Sequence, residues 1–189
     1  MAKRKVVAIV GGMGSGKSYA LEFFRGKGFN CVSSDLEYRE FRKSDEFLSI
    51  LGKLGFGSVD DLDKAILSRI GERGFKQAFE ALVHPHVMRI AFSKLTDGVN
   101  FVEISAPTAE NLRGFDAVLY IYAPEDVRRE RVRQRNNAAS KYYFTTIIGL
   151  QPTREEFLGW AQYTVQNDGD IQKFERGLTE ICTRITNVC

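Results

Sequence analysis

The stretch that most constrains this chain comes first. Val6-Val7-Ala8-Ile9-Val10 is a continuous apolar run, the pattern of a strand buried on both faces, and it leads straight into Gly11-Gly12-Met13-Gly14-Ser15-Gly16-Lys17-Ser18. The spacing G-x-x-x-x-G-K-S between a strand and a helix marks a loop that cradles phosphate. Backbone N–H groups converge on an anion only where no Cβ crowds the turn, which Gly11, Gly12, Gly14 and Gly16 allow. A helix opening at Lys17 adds its unpaired N–H groups and its dipole. In such a loop Lys17 neutralises the β- and γ-phosphate oxygens and the Ser18 hydroxyl ligates Mg²⁺. A glycine-rich turn without a ligand is the plain alternative. The strand in front and Tyr19-Ala20-Leu21-Glu22-Phe23-Phe24 behind favour a nucleotide, with Gly12, Met13, Gly14, Ser15, Gly16, Lys17 and Ser18 as its contacts.

A strand entering a helix through this loop predicts an α/β chain with a doubly wound parallel sheet, whose ligands lie beyond the carboxyl ends of the strands. Phe29-Asn30-Cys31-Val32 reads as the second strand, with Ser33-Ser34-Asp35 at its end. Residues 36–98 show no strand pattern. Amphipathic stretches at 36–43, 45–54, 60–70 and 75–95, with Asp60 or Asp61 as an N-cap, predict a helical insertion too long for one crossover. Val99-Asn100-Phe101-Val102-Glu103-Ile104 and Asp116-Ala117-Val118-Leu119-Tyr120-Ile121-Tyr122 are the third and fourth strands. Pro124 and the acids after it start a helix, and residues 128–151 continue as helix or lid. Tyr163-Thr164-Val165-Gln166 is a short fifth strand, and an amphipathic helix closes the chain from Ile171.

The 189 residues suit one α/β domain carrying that insertion, and no internal repeat suggests a second. No apolar run approaches the roughly 18 residues of a membrane span, and Met1-Ala2-Lys3-Arg4-Lys5 leads into a strand rather than a signal-peptide core, so the expected location is the cytoplasm. Cys31, Cys182 and Cys189 lack metal-ligand spacing and are expected as free thiols. A net charge of +3 does not argue for nucleic acid, though it suits polyanionic substrates.

In this order, the glycine-rich loop, the serine/aspartate turn, Ala81-Leu82-Val83-His84-Pro85, the arginine-dense helix, and Ala161-Gln162-Tyr163-Thr164-Val165-Gln166-Asn167-Asp168-Gly169 resemble the dephospho-coenzyme A kinase family. That family belongs to the nucleoside-monophosphate-kinase-like P-loop kinases. The resemblance implies a P-loop NTP hydrolase fold with a five-stranded parallel sheet, a helical substrate-binding insertion at 36–98 and an arginine-rich lid region at 128–151. It also implies transfer of the ATP γ-phosphate to the ribose 3′-hydroxyl of dephospho-CoA, with Mg²⁺. The chain departs from the family pattern where Ser33-Ser34-Asp35 replaces Asp-Ala-Asp and where Ala161-Gln162 replaces Ala-Asp.

Each remaining candidate has an ordinary alternative. A kinase needs a carboxylate near the γ-phosphate, and Asp35 and Glu103 end strands beside the first; a helix cap and a salt bridge are their alternatives. His84 and His86 do not share a helix face, which argues against metal. The His84-Pro85 step is expected to bend its helix, and the resemblance puts His84 at the acceptor, with Arg89 as a candidate for an acceptor phosphate. Five arginines lie between Arg128 and Arg135; Arg131 and Arg135 are the expected nucleotide or transition-state contacts, with residues 136–140 as the lid tip. Tyr142-Tyr143-Phe144 stacks on a ligand or packs the lid, and Asn167 lies beside the adenine by resemblance or simply turns the chain. Rival functions are a kinase of another small acceptor on this scaffold and an ATP-binding regulator without turnover.

Overall fold

In the computed structural model, residues 4–56, 62–135, 144 and 147–186 are described, without the side chains of 62–64, 67, 73 and 135. They divide into two compact units, Met1–Ser33 with Lys94–Cys189, and Ser34–Ser93.

The first unit is built on five parallel strands: β1 (Lys5–Val10), β2 (Asn30–Ser33), β3 (Val99–Glu103), β4 (Ala117–Tyr122) and β5 (Tyr163–Gln166). Their order is β2-β3-β1-β4-β5. β1 lies in the middle, which is why its side chains from Val6 to Val10 are all buried and why its sequence does not alternate. Val7, Ile9, Phe101, Leu119 and Ile121 share one sheet face, where they pack with Leu21 and Phe24 of α1 (Lys17–Gly26) and with Phe174, Leu178 and Ile181 of the closing α8 (Ile171–Thr186). Phe24 stacks flat on Phe101, ring centroids 3.8 Å apart. Burying such a ring stabilises the fold by about 2–3 kcal/mol, so this face anchors α1 and the loop before it.

After β4 come α6 (Glu125–Arg135) and α7 (Arg154–Trp160). The expected lid tip at 136–140, with Tyr142 and Tyr143, lies outside the described residues. Phe144 is buried, with the Arg129 guanidinium 5.4 Å from its ring centre, so packing is the role the structure gives it. α7 has no counterpart among the elements expected from sequence. It starts at a capping box in which Thr153 accepts from the Glu156 N–H at 3.2 Å and Glu156 accepts from the Thr153 N–H at 2.7 Å.

The second unit is helical: α2 (Ser34–Phe41), α3 (Asp45–Lys53), α4 (Leu62–Arg69) and α5 (Arg73–Ser93). Phe41, Phe47, Ile50, Ile66, Phe75, Phe79 and Val83 form its own apolar core. Asp60 and Asp61 lie outside the described residues. α5 continues through Pro85 as one helix, although proline withdraws one backbone donor there.

Candidate active site

The loop at the end of β1 closes on itself through a bond from the Ser15 N–H to the Gly12 carbonyl, 3.1 Å. Gly16, at φ 101°, leads into α1, and a Cβ there would overlap the Asn167 side chain. Both facts require glycine. Lys17 is 9% exposed, and its ammonium bonds the carbonyls of Gly11 at 2.9 Å and Gly12 at 3.4 Å. It therefore sits folded over the loop it serves.

Two serines and a glutamate meet on the β3 side. Parallel register aligns Ser33, Glu103 and Ile9 across β2, β3 and β1, and residues aligned in this way share a sheet face. That face is the one α1 packs on, so Glu103 looks toward the start of α1. Its Oε1 accepts from the Ser18 hydroxyl at 2.9 Å and its Oε2 from the Ser33 hydroxyl at 3.1 Å. Glu103 is only 4% exposed, so the two hydroxyls supply the hydrogen bonds that a buried carboxylate requires. Ser18 is exposed, and with Glu103 it offers hard oxygen donors of the kind Mg²⁺ selects. Among the described residues there is no cluster of three or more His, Cys, Asp or Glu side chains able to hold a metal. Ser18 and Glu103 are oxygen donors that would suit a Mg²⁺ ion, with phosphate and water supplying its other ligands.

Another set meets on the β5 side. Asn167 follows β5, is buried, and donates to the Ser15 carbonyl at 2.8 Å. Its Oδ1 accepts from Arg131 at 2.9 Å, and Arg131 also bonds the carbonyl of Gly14 at 3.3 Å. Arg131 and Asn167 are therefore brought together behind the loop as its tether. Arg135 ends α6, and its side chain is outside the description.

Two residues not singled out from the sequence touch the loop. The Gln151 Oε1 accepts from the Met13 N–H at 3.0 Å, and Arg128 lies so close over Gly12 that a Cβ there would overlap its guanidinium. Arg128 is half-buried, and that burial lowers its pKa while Glu125, Tyr120 and Tyr122 raise it. Helical spacing groups Arg128 with Arg131 and Arg135, apart from Arg129 and Arg133, but nothing in the sequence sets Arg128 above the other two.

The second unit carries the remaining candidates. Asp35 is exposed in the first turn of α2. His84 is half-buried, and burial holds its pKa below the ordinary histidine value against the pull of Glu80. Arg89 is exposed and paired with Glu46 at 3.3 Å, and Glu46 also meets His86 at 3.0 Å.

A glycine loop with its lysine and serine at the end of the middle strand, and a buried carboxylate at the end of the parallel strand beside it, define a P-loop phosphotransferase. The match to known proteins narrows this: residues 5–173 fit the family described as dephospho-CoA kinase, and the chain belongs to that family. A dephospho-CoA kinase from Nitrosomonas europaea is 24% identical over 93% of this chain and 92% of its own length. Among solved structures, TT1252 from Thermus thermophilus superposes with a TM-score of 0.78 at 25% identity, covering 97% of this chain and 99% of that one. A shikimate kinase from Acinetobacter baumannii shares the fold alone, with a TM-score of 0.58 at 18% identity over 96% and 92% of the two chains. The chain is accordingly an ATP-dependent kinase.

Proposed function

We propose that the chain transfers the γ-phosphoryl group of ATP to the ribose 3′-hydroxyl of dephospho-CoA, giving coenzyme A and ADP, in the cytoplasm and with Mg²⁺. The observation that carries the assignment of residues is the Glu103 carboxylate shared between Ser18 and Ser33.

The loop N–H groups take the β- and γ-phosphates, and Lys17 exchanges its two carbonyl partners for phosphate oxygens as the nucleotide enters. Mg²⁺, when bound, neutralises charge on the β- and γ-oxygens. Ser18 and Glu103 would hold it, with Glu103 fixing the direction of the Ser18 hydroxyl. As the acceptor oxygen bonds to the γ-phosphorus and the bond to the ADP oxygen breaks, the hydroxyl proton passes to a carboxylate. Asp35, exposed and two residues beyond Ser33, is assigned that task. Arg131, through Asn167 and Gly14, keeps the loop in shape, and Arg135 is assigned to the nucleotide. His84 and Arg89 are assigned to the acceptor, Arg89 once it leaves Glu46.

The test is ADP release by the purified chain with Mg²⁺ and ATP, with and without dephospho-CoA. The expected result is release that depends on dephospho-CoA, stops in Lys17→Ala and falls steeply in Asp35→Asn. Serine at position 33, where the family carries an acid, favours one other reading, a nucleotide-binding regulator. Tight ATP binding with no acceptor-dependent ADP would establish that reading instead.

A further inference from the structure

On the β4 side of the loop lies a pocket of about 180 Å³ that shares Gly12 with the nucleotide loop and whose other side chains have no catalytic or acceptor role above. It is lined by Gly12, Tyr120, Arg128, Gln151, Arg154 and Phe157, among others. Three observations bear on what it takes.

The first is charge. Arg128 and Arg154 both line the pocket, and the acid there, Glu125, is already engaged with Arg129 at 2.7 Å. Two guanidinium forks at one hollow exceed what a single carboxylate offsets and match the oxygens of a phosphoryl or pyrophosphoryl group. The second is rigidity. The Tyr120 and Phe157 rings stack at 4.8 Å and 9°, and Arg154 lies over the Tyr122 ring at 4.8 Å, so the Arg154 cation rests on a packed aromatic wall. Burial also pushes the Tyr120 pKa up, against the pull of Arg128 and Arg154. The third is continuity with the loop. Gln151 spends its Oε1 on the Met13 N–H, and among the described residues its amide nitrogen has no partner, while Arg128 overlies Gly12.

We propose that this pocket is a second phosphoanion subsite, in which Arg128 and Arg154 bind a phosphoanhydride distinct from the phosphates cradled by the loop. The choice of a phosphorylated ligand rests on the kinase reading. The anhydride is either the one inside the acceptor or free pyrophosphate.

The experiment is a calorimetric titration of inorganic pyrophosphate into the full chain, with the loop already saturated by Mg²⁺ and a non-hydrolysable ATP analogue. The expected result is one pyrophosphate per chain, weakened at least tenfold in Arg128→Gln and in Arg154→Gln, variants whose binding of the analogue shows that they are folded. Displacement of pyrophosphate by dephospho-CoA assigns the subsite to the acceptor's anhydride; pyrophosphate left in place assigns it to the free anion. No binding with the loop filled, or equal binding by both variants, overturns the proposal. Turnover does not enter. Pyrophosphate bound here by a chain that phosphorylates nothing upholds the subsite and sinks the kinase reading, whereas turnover without this binding sinks the subsite alone.

Discussion

At the scale of single residues, Glu103 concentrates the most chemistry in the fewest contacts. Both carboxylate oxygens are used, one by each serine, so replacing it by glutamine puts an amide donor where a hydroxyl already donates. Glu103→Gln should lower kcat about 10- to 100-fold and raise the Mg²⁺ concentration needed for half-maximal rate, the size expected when the partner of a metal ligand is lost. A steady-state Mg²⁺ titration measures both, and an unchanged profile would remove Glu103 from the metal site. The glycines divide in a similar way. At Gly14 the backbone is left-handed, φ 79°, and a Cβ would stand 2.7 Å from the Arg128 carbonyl, whereas at Gly12 it would meet the movable end of a side chain. Gly14→Ala should therefore cost about 1–2 kcal/mol from backbone handedness alone, and more from the clash, as read by chemical denaturation. Gly12→Ala should cost less stability than Gly14→Ala, and the reverse order would contradict the geometry.

Among the elements, the strands were legible from sequence and the contacts between them were not. β1 and β4 are nearly unbroken apolar and aromatic runs buried in the sheet, and β3 keeps Phe101 and Val102 buried between Asn100 and Glu103, so burial of the strands is largely written into composition. α7 escaped because only Phe157 of Arg154–Trp160 is buried, which leaves no apolar stripe to read, although Thr153 and Glu156 carried a capping-box signal. Ser33 reads in sequence as a missing acid. The register that sets it against Glu103, and so makes it a donor to another strand's carboxylate, exists only in three dimensions. The same applies to Gln151, which reaches the loop by a bond across 138 positions of chain. Asn167 joins β5 to the loop, so Asn167→Asp should keep the acceptor for Arg131 and lose the donor to the Ser15 carbonyl. The expected loss is about 1–3 kcal/mol with a raised KM for ATP, and an unchanged KM would show that the tether does not shape the loop. In α5, His84 has a pKa depressed by burial, so between that value and about 6.5 the unfolded chain binds the extra proton. Stability present above pH 6.5 is lost as pH falls, and His84→Gln should shrink the drop in melting temperature between pH 7 and pH 5.5. A drop of the same size in the variant would assign the pH response to other groups.

For the whole molecule, the family match over residues 5–173 takes in the loop, the second unit, the arginine helix and Asn167, so it spans both the parts assigned to the nucleotide and those assigned to the acceptor. The scaffold by itself does not select the acceptor, since a shikimate kinase shares it. Nucleotide chemistry could be read from eight consecutive residues because a phosphate loop is local. Acceptor chemistry depends on side chains far apart in sequence, and of the two departures from the family pattern Ser33 ends β2 beside Glu103, whereas Gln162 precedes β5 at the opposite end of the strands. Gln162 has a fold role of its own, accepting from the Val118 N–H at 2.7 Å. The most direct measurement is mass spectrometry of a single reaction in which dephospho-CoA, shikimate and nucleoside monophosphates compete for the phosphoryl group of ATP. The expected result is a gain of one phosphoryl group on dephospho-CoA alone, placed on the ribose 3′-oxygen by fragmentation. Phosphorylation of another acceptor, or of none while ATP remains bound, would contradict it.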